Sequence, residues 1–144
     1  MRRLRVLEQR DLDAISRIHV AACRVAYRFM GWNYPQATVR EWYEGKVAEW
    51  DWARVAEERG TVLGYIALKG AHIDQFFVDP RQQGQGHGTA LFAAALARSG
   101  RPLTLDVFEE NRPARRFYEK RGFRQIDSWF NEQDRAVQLR YELG

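Results

Sequence analysis

Three glycines spaced two apart, Gly84, Gly86 and Gly88, sit where an apolar strand pattern ending at Val78 gives way to an apolar helix pattern through Leu91. Glycine lets a ligand approach the backbone closely, and a helix starting beside it directs unpaired N–H groups and the positive end of its dipole at the same spot. Such a turn suits a pyrophosphate and needs no lysine to hold it. Spacing separates this loop from two others. A nucleoside-triphosphate loop requires G-x-x-x-x-G-K-[ST], whereas Gly88 is followed by Thr89 and Ala90. A dinucleotide fingerprint requires G-x-G-x-x-G, and counting from Gly84 and Gly86 puts Thr89 at the third glycine position.

A second segment, Asn111 to Phe123, reads as a short capped helix between strands. Asn111 is a good N-cap, Pro113 is tolerated in the first turn, Gly122 ends the helix, and Phe123 opens the next strand. The two segments together resemble the GNAT superfamily of acyl-CoA-dependent N-acyltransferases. Gln83, Gly86 and Gly88 stand on the signature positions of its Q/R-x-x-G-x-G/A motif. Asn111, Ala114, Phe117, Tyr118, Gly122 and Phe123 match its N-x-x-A-x-x-F-Y-x-x-x-G-F segment.

The resemblance implies transfer of an acetyl group from acetyl-CoA to a primary amine of a small molecule, peptide or protein, by direct attack in a ternary complex. The rival reading is a non-catalytic acyl-CoA-binding module. It also implies that Phe77 and Val78 offer backbone groups to the pantetheine arm. Backbone N–H groups of Gln83, Gly84, Gln85, Gly86, His87, Gly88 and Thr89 would hold the pyrophosphate. Tyr118 matches the family's acid, and a phenol of pKa about 10 keeps its proton at neutral pH until a thiolate takes it; the alternative is packing with Phe117. Asn111 either contacts the cofactor arm or only caps its helix. His87 is read as an exposed loop histidine that can reach the cofactor. Arg112, Arg115 and Arg116 share a helix face by spacing, which either meets the adenosine 3′-phosphate, with help from Arg81, or is solvated.

The proton acceptor is less defined. Asp74 stands four residues before Val78 and so is placed on the same strand face; His72 shares that face. Glu109 and Glu110 close the next strand, and a water chain is a further route. Three scattered histidines and one cysteine show no metal-ligand spacing, and the chemistry requires no metal.

Composition sets outer bounds. The 144 residues, 45% apolar and 13% aromatic, suit one domain spanning 1–144. The apolar run after the arginine-rich N-terminus is broken at Glu8–Asp11, so neither a signal peptide nor a membrane span is expected, and a cytoplasmic protein is. Cys23 falls on an apolar helical stripe and is expected to be a buried, inert thiol. The net charge of +4 is not organised as a nucleic-acid motif. The acidic stretch 41–58 would attract a cationic amine. The aromatics Tyr27, Phe29, Trp32, Tyr34, Trp42, Tyr43, Trp50 and Trp52 belong either to the core or to an acceptor pocket that grips an ammonium. A homodimer is compatible with the sequence.

The elements that must position these groups follow from periodicity. A strand at 2–7 precedes a helix from Asp11 with Ile15, Ile18, Ala22, Val25 and Phe29 as its apolar stripe. A second helix is expected over 36–49. Strands at 52–57, 61–68 and 72–78 form an antiparallel meander. After the glycine loop come a helix to Arg98, a strand at 102–108, the Asn111 helix, and strands at 123–130 and 135–142. This is an α+β chain. The resemblance adds a mixed, mostly antiparallel sheet of about seven strands, helices on both faces, and a splayed parallel pair forming the acyl-CoA cleft.

Overall fold

The computed structural model describes all residues from Met1 to Gly144. Its strands are β1 (Arg2–Val6), β2 (Trp52–Glu58), β3 (Thr61–Leu68), β4 (His72–Val78), β5 (Leu103–Phe108), β6 (Arg124–Asn131) and β7 (Ala136–Leu143). Its helices are α1 (Leu12–Ala26), α2 (Gln36–Lys46), α3 (His87–Arg98) and α4 (Arg112–Glu119). The strands form one sheet in the order β1-β2-β3-β4-β5-β7-β6, antiparallel throughout except for the β4–β5 pair.

Local chemistry explains the turns. β2 and β3 are joined by Arg59 and Gly60, both at positive φ (53° and 78°), as a two-residue hairpin with the twist of its strands requires. At the start of α1, the buried Asp11 carboxylate takes two hydrogen bonds of 2.8 Å from Arg5, whose Nε also reaches Glu57 at 2.8 Å. The guanidinium therefore ties β1, β2 and the helix start together.

α1 is shorter than its apolar spacing suggests. It ends at Ala26, a 3-10 turn follows over Arg28–Met30, and Gly31 reverses the chain at φ 66°. Val25 and Phe29 therefore do not continue the buried stripe, and are 60% and 42% exposed. α2 ends at Lys46, and residues 47–49 form a 3-10 turn.

Each face of the sheet carries its own apolar core. On one, α3 and α4 pack Leu91, Phe92, Ala95 and Tyr118 over Ile66, Ile73, Leu105 and Val107. On the other, α1 and α2 pack Ile15, Ile18, Val39 and Tyr43 over Val55, Val62 and Tyr65. Cys23 is buried as expected, and burial pushes its thiol pKa up.

Two features of β4 shape everything that follows. It pairs with β5 only at His72↔Thr104 and Ile73↔Leu105, after which the two strands part. Its register with β3 also shifts, Leu68 facing Ile73 but Ala67 facing Gln75, so Asp74 is the extra residue of a β-bulge. The bulge overturns the expected placement of Asp74 beside Val78. A one-residue slip exchanges faces, and Asp74 turns toward Lys46 and Trp50 on the α2 side, while Val78 lies against Gly88 on the α3 side.

Candidate active site

Where β4 and β5 separate, a cleft of about 1020 Å³ opens between them. The glycine loop lies along one part of its wall, α4 along another, and α1 and α2 along a third.

The glycine loop is set up by Asp79, which sequence reading passed over although Asp-Pro is a turn signature. This buried carboxylate accepts from the Arg81 backbone N–H at 3.0 Å, the Arg81 guanidinium at 3.1 Å and Arg17 at 3.4 Å. Burial raises its pKa, but the Arg81 hydrogen bonds outweigh burial and hold it below the ordinary range. Past this turn, the N–H groups of residues 83–89 donate to no carbonyl or side chain. Gly84 and Gly86 hold φ of 84° and 86°, and a Cβ on Gly84 would meet nothing within 4 Å. The loop thus presents a run of free amides at the N-terminus of α3 with room in front of them, which fits a pyrophosphate. At Gly88 a Cβ would make only ordinary contacts, 3.5 Å from Val78 and 3.7 Å from Phe76.

His87 is not the exposed loop residue expected from sequence. It is the first residue of α3 and only 2% exposed, with Nδ1 accepting from Arg2 Nε at 3.0 Å. The first turn of the helix rotates its ring inward, beneath the loop.

At the N-cap of α4, the Asn111 side-chain Oδ1 accepts from Ala114 N–H at 3.4 Å and its Nδ2 donates to the Tyr27 hydroxyl at 3.4 Å. It caps its helix, bridges to α1 and lines the cleft. Tyr118 is buried among Phe92, Phe117 and Phe123 and also lines the cleft; burial and neighbouring Tyr27 push its phenol pKa upward, so it keeps its proton at neutral pH. The arginine face divides. Arg115 is turned inward, donating to the Tyr141 hydroxyl at 3.0 Å and to Glu109 O at 2.8 Å, while Arg112 and Arg116 are exposed and line no part of the cleft.

The remaining wall gathers residues far apart in sequence. Asp74 Oδ2 accepts from Trp50 Nε1 at 2.8 Å and lies 3.3 Å from Lys46. His72 Nδ1 contacts Thr104 Oγ1 at 2.7 Å; burial lowers its pKa although Asp106 opposes this. Trp32, Trp42 and Phe77 surround His19, with ring centroids 5.7, 6.0 and 4.8 Å away. Of the aromatics expected in an acceptor pocket, Tyr27, Trp32 and Trp42 line the cleft, whereas Tyr43 is core and Tyr34 is exposed. His19 itself escaped sequence reading. Its signal was a histidine inside the apolar stripe of α1, between Ile18 and Ala22. Burial lowers its pKa to about 4, leaving the ring neutral at pH 7.

The acidic character of the cleft has a different source from the one expected. Glu44, Glu49 and Glu57 of the 41–58 stretch are paired with Arg40, Lys69 and Arg5. Asp74, Asp106, Glu110 and Asp134 line the cleft instead, and no lysine or arginine does; Asp74 lies 3.3 Å from Lys46 and Asp106 2.8 Å from Arg140, which leaves Glu110 and Asp134 without an ion-pair partner.

The profile of the Acetyltransferase (GNAT) family matches residues 13–123. In sequence, the chain is similar to the peptidyl-lysine N-acetyltransferase YiaC of Escherichia coli, 29% identical over 134 residues that cover 90% of this chain and 88% of YiaC. In structure, it resembles apo YjaB from E. coli, with a TM-score of 0.76, 25% identity and 99% and 97% of the two chains covered. It also resembles YncA from Salmonella typhimurium, solved with acetyl-CoA, with a TM-score of 0.72, 20% identity and 99% and 93% covered. The open mixed sheet, the free-amide loop at the start of α3 and the parting of β4 from β5 agree with these matches, and the chain belongs to the GNAT family of acetyltransferases.

Proposed function

We propose that this acetyltransferase acts on the side-chain amine of lysine in a peptide or protein, with acetyl-CoA as donor. The observation that carries the reading is the lining of the cleft: the rings of Tyr27, Trp32 and Trp42, four acidic side chains of which Glu110 and Asp134 have no ion-pair partner, and no lysine or arginine on the wall itself. Similarity to a peptidyl-lysine N-acetyltransferase over most of the chain supports the choice of lysine.

In this reading the N–H groups from Gln83 to Thr89 take the pyrophosphate, and Phe77 and Val78 carry the pantetheine arm along the edge of β4 that β5 leaves open. The thioester then lies where β4 leaves β5. The lysine enters from the α1–α2 side, where Asp74 attracts the ammonium and receives its proton, directly or through water. The neutral amine attacks the carbonyl carbon, the tetrahedral adduct collapses, and the C–S bond breaks. Tyr118 gives its proton to the departing thiolate, and the extra proton that the nitrogen carries in the adduct is released through water to restore the phenol. Asn111 fixes the start of α4 and hence the position of Tyr118, and exposed Arg116 offers charge to the 3′-phosphate. We place the reaction in the cytoplasm, without nucleic acid or metal.

The test is a calorimetric titration with acetyl-CoA, followed by thiol release against lysine peptides, free lysine and a polyamine. Saturable binding with release favouring the peptides is expected. Release with the polyamine alone would reassign the acceptor, and binding without release would leave an acyl-CoA-binding module.

A further inference from the structure

His19 is held by a chain of hydroxyls whose protons can be assigned. Its Nδ1 lies 2.7 Å from the Tyr43 hydroxyl, and that hydroxyl is hydrogen-bonded to the hydroxyl of Tyr65. Tyr43 and Tyr65 are both fully buried. The Tyr65 hydroxyl has no other partner, so the only acceptor for its proton is the Tyr43 oxygen. The Tyr43 proton must then go to His19 Nδ1, which leaves the ring proton on Nε2. In the opposite direction, His19 to Tyr43 to Tyr65, the last hydroxyl proton is buried without an acceptor. If both neighbours donate to Tyr43, its own proton is stranded. Each alternative leaves an unmatched buried donor, which is the costly outcome.

The consequence concerns the cleft. His19 lines it, its Nε2 has no protein partner, and its ring is 4.8 Å from that of Phe77 on β4. We infer that His19 is a fixed neutral hydrogen-bond donor, its Nε2–H meeting the acetyl carbonyl oxygen as that oxygen gains charge, and is not the base that activates the amine. The inference rests on the reading that the thioester lies along β4. As the amine nitrogen bonds to the carbonyl carbon, the C=O electron pair moves onto oxygen. When the pair returns, the C–S bond breaks and sulfur leaves with its electrons. His19 keeps its proton throughout. A donor held in place by a buried hydroxyl chain meets the developing charge without reorganising, the condition under which such donors are most effective. Its low basicity is consistent with this role, since the ring stays neutral through the physiological range.

The first measurement is 15N-edited NMR of the histidine rings in the full chain without ligand at pH 7. Protonated Nε2 and bare Nδ1 at His19 are expected; the reverse tautomer overturns the inference. This readout does not depend on any activity, so it stands apart from the acetyltransferase reading, which fails instead if the wild-type chain binds no acetyl-CoA. The second measurement is steady-state kinetics of His19→Phe and His19→Gln, with folding checked by thermal melts. His19→Phe should lower kcat about a hundredfold with acetyl-CoA affinity unchanged. His19→Gln, whose amide N–H occupies the Nε2 position, should recover part of that loss. An unchanged kcat, or a change confined to KM for the acceptor, overturns the oxyanion role. So does removal by His19→Phe of an acidic limb from the wild-type kcat/KM profile, which would identify a titrating base.

Discussion

The two ends of the cleft are built in opposite ways. The phosphate end is backbone: one continuous run from Gln83 to Thr89, free amides, and a helix start. The acceptor end is side chain: His19 from α1, Trp42 from α2, Asp74 from a bulge in β4 and Asp134 from the β6–β7 turn, brought together only by the tertiary fold. A backbone site tolerates almost any side chain provided the glycines remain, whereas a side-chain site can be re-specified one residue at a time. One scaffold can therefore keep its donor and vary its acceptor.

Substitutions should sort along this division. The sharpest separation is expected from Gly86→Asp. It forces a Cβ into a backbone at φ 86°, 3.0 Å from the Arg2 guanidinium, and puts negative charge beside the pyrophosphate. Acetyl-CoA affinity should fall roughly a thousandfold, about 4 kcal/mol, by calorimetry; retained binding would place the cofactor elsewhere. Next is a stability effect confined to the acceptor end. His19 has a folded pKa of about 4 against about 6.5 when unfolded, so between these values the unfolded chain binds more protons. Its contribution, on the order of 3 kcal/mol, is fully present above pH 6.5 and is lost as pH falls toward 4. Thermal melts over pH 4–7 should show this slope in the wild type and a flatter one in His19→Phe. Equal slopes would mean that His19 is not held neutral by burial.

Tyr118→Phe, at the junction of the two ends, should cut kcat about a hundredfold and leave acetyl-CoA binding nearly intact. Normal turnover would reduce Tyr118 to a packing residue. Asp74→Asn should lower kcat and raise KM for a lysine peptide several-fold, while a change in acetyl-CoA affinity would contradict its place at the acceptor end. The smallest effect belongs to Arg116→Ala. The side chain is exposed, and an exposed charge contributes at most about 1 kcal/mol, so acetyl-CoA affinity should weaken less than tenfold, and more at low salt than at high salt.

The same division marks what was legible in the sequence. Strand and helix positions followed from period-2 and period-3.6 patterns, and the phosphate end followed from glycine spacing, because both are local properties of the chain. The acceptor end was legible only as a list of aromatics. Whether Trp42 lines a cleft and Tyr43 fills a core depends on which side of α2 meets the sheet. Asp74 shows the limit most clearly: alternation assigned its face correctly up to a bulge that no residue type announces. His87 illustrates another limit, since one turn of helix decides whether a loop residue points outward or beneath the loop. The acidic stretch 41–58 was real in composition but partly neutralised, by Arg40 within α2 and by Arg5 and Lys69 from other elements.

The short β4–β5 ladder also has a mechanical meaning. Strands β1 to β4 and strands β5, β7 and β6 are two half-sheets zipped together at one end by two register pairs, with the shared core beneath α3 and α4 holding the rest. A crack that starts at the sheet's surface and runs toward its middle is the natural place for the molecule to breathe. The peptide groups of β4 beyond Ile73 should exchange their hydrogens with solvent faster than those of β3, one strand away. A ligand lying in the crack would act as a wedge that also glues, slowing exchange on both lips at once.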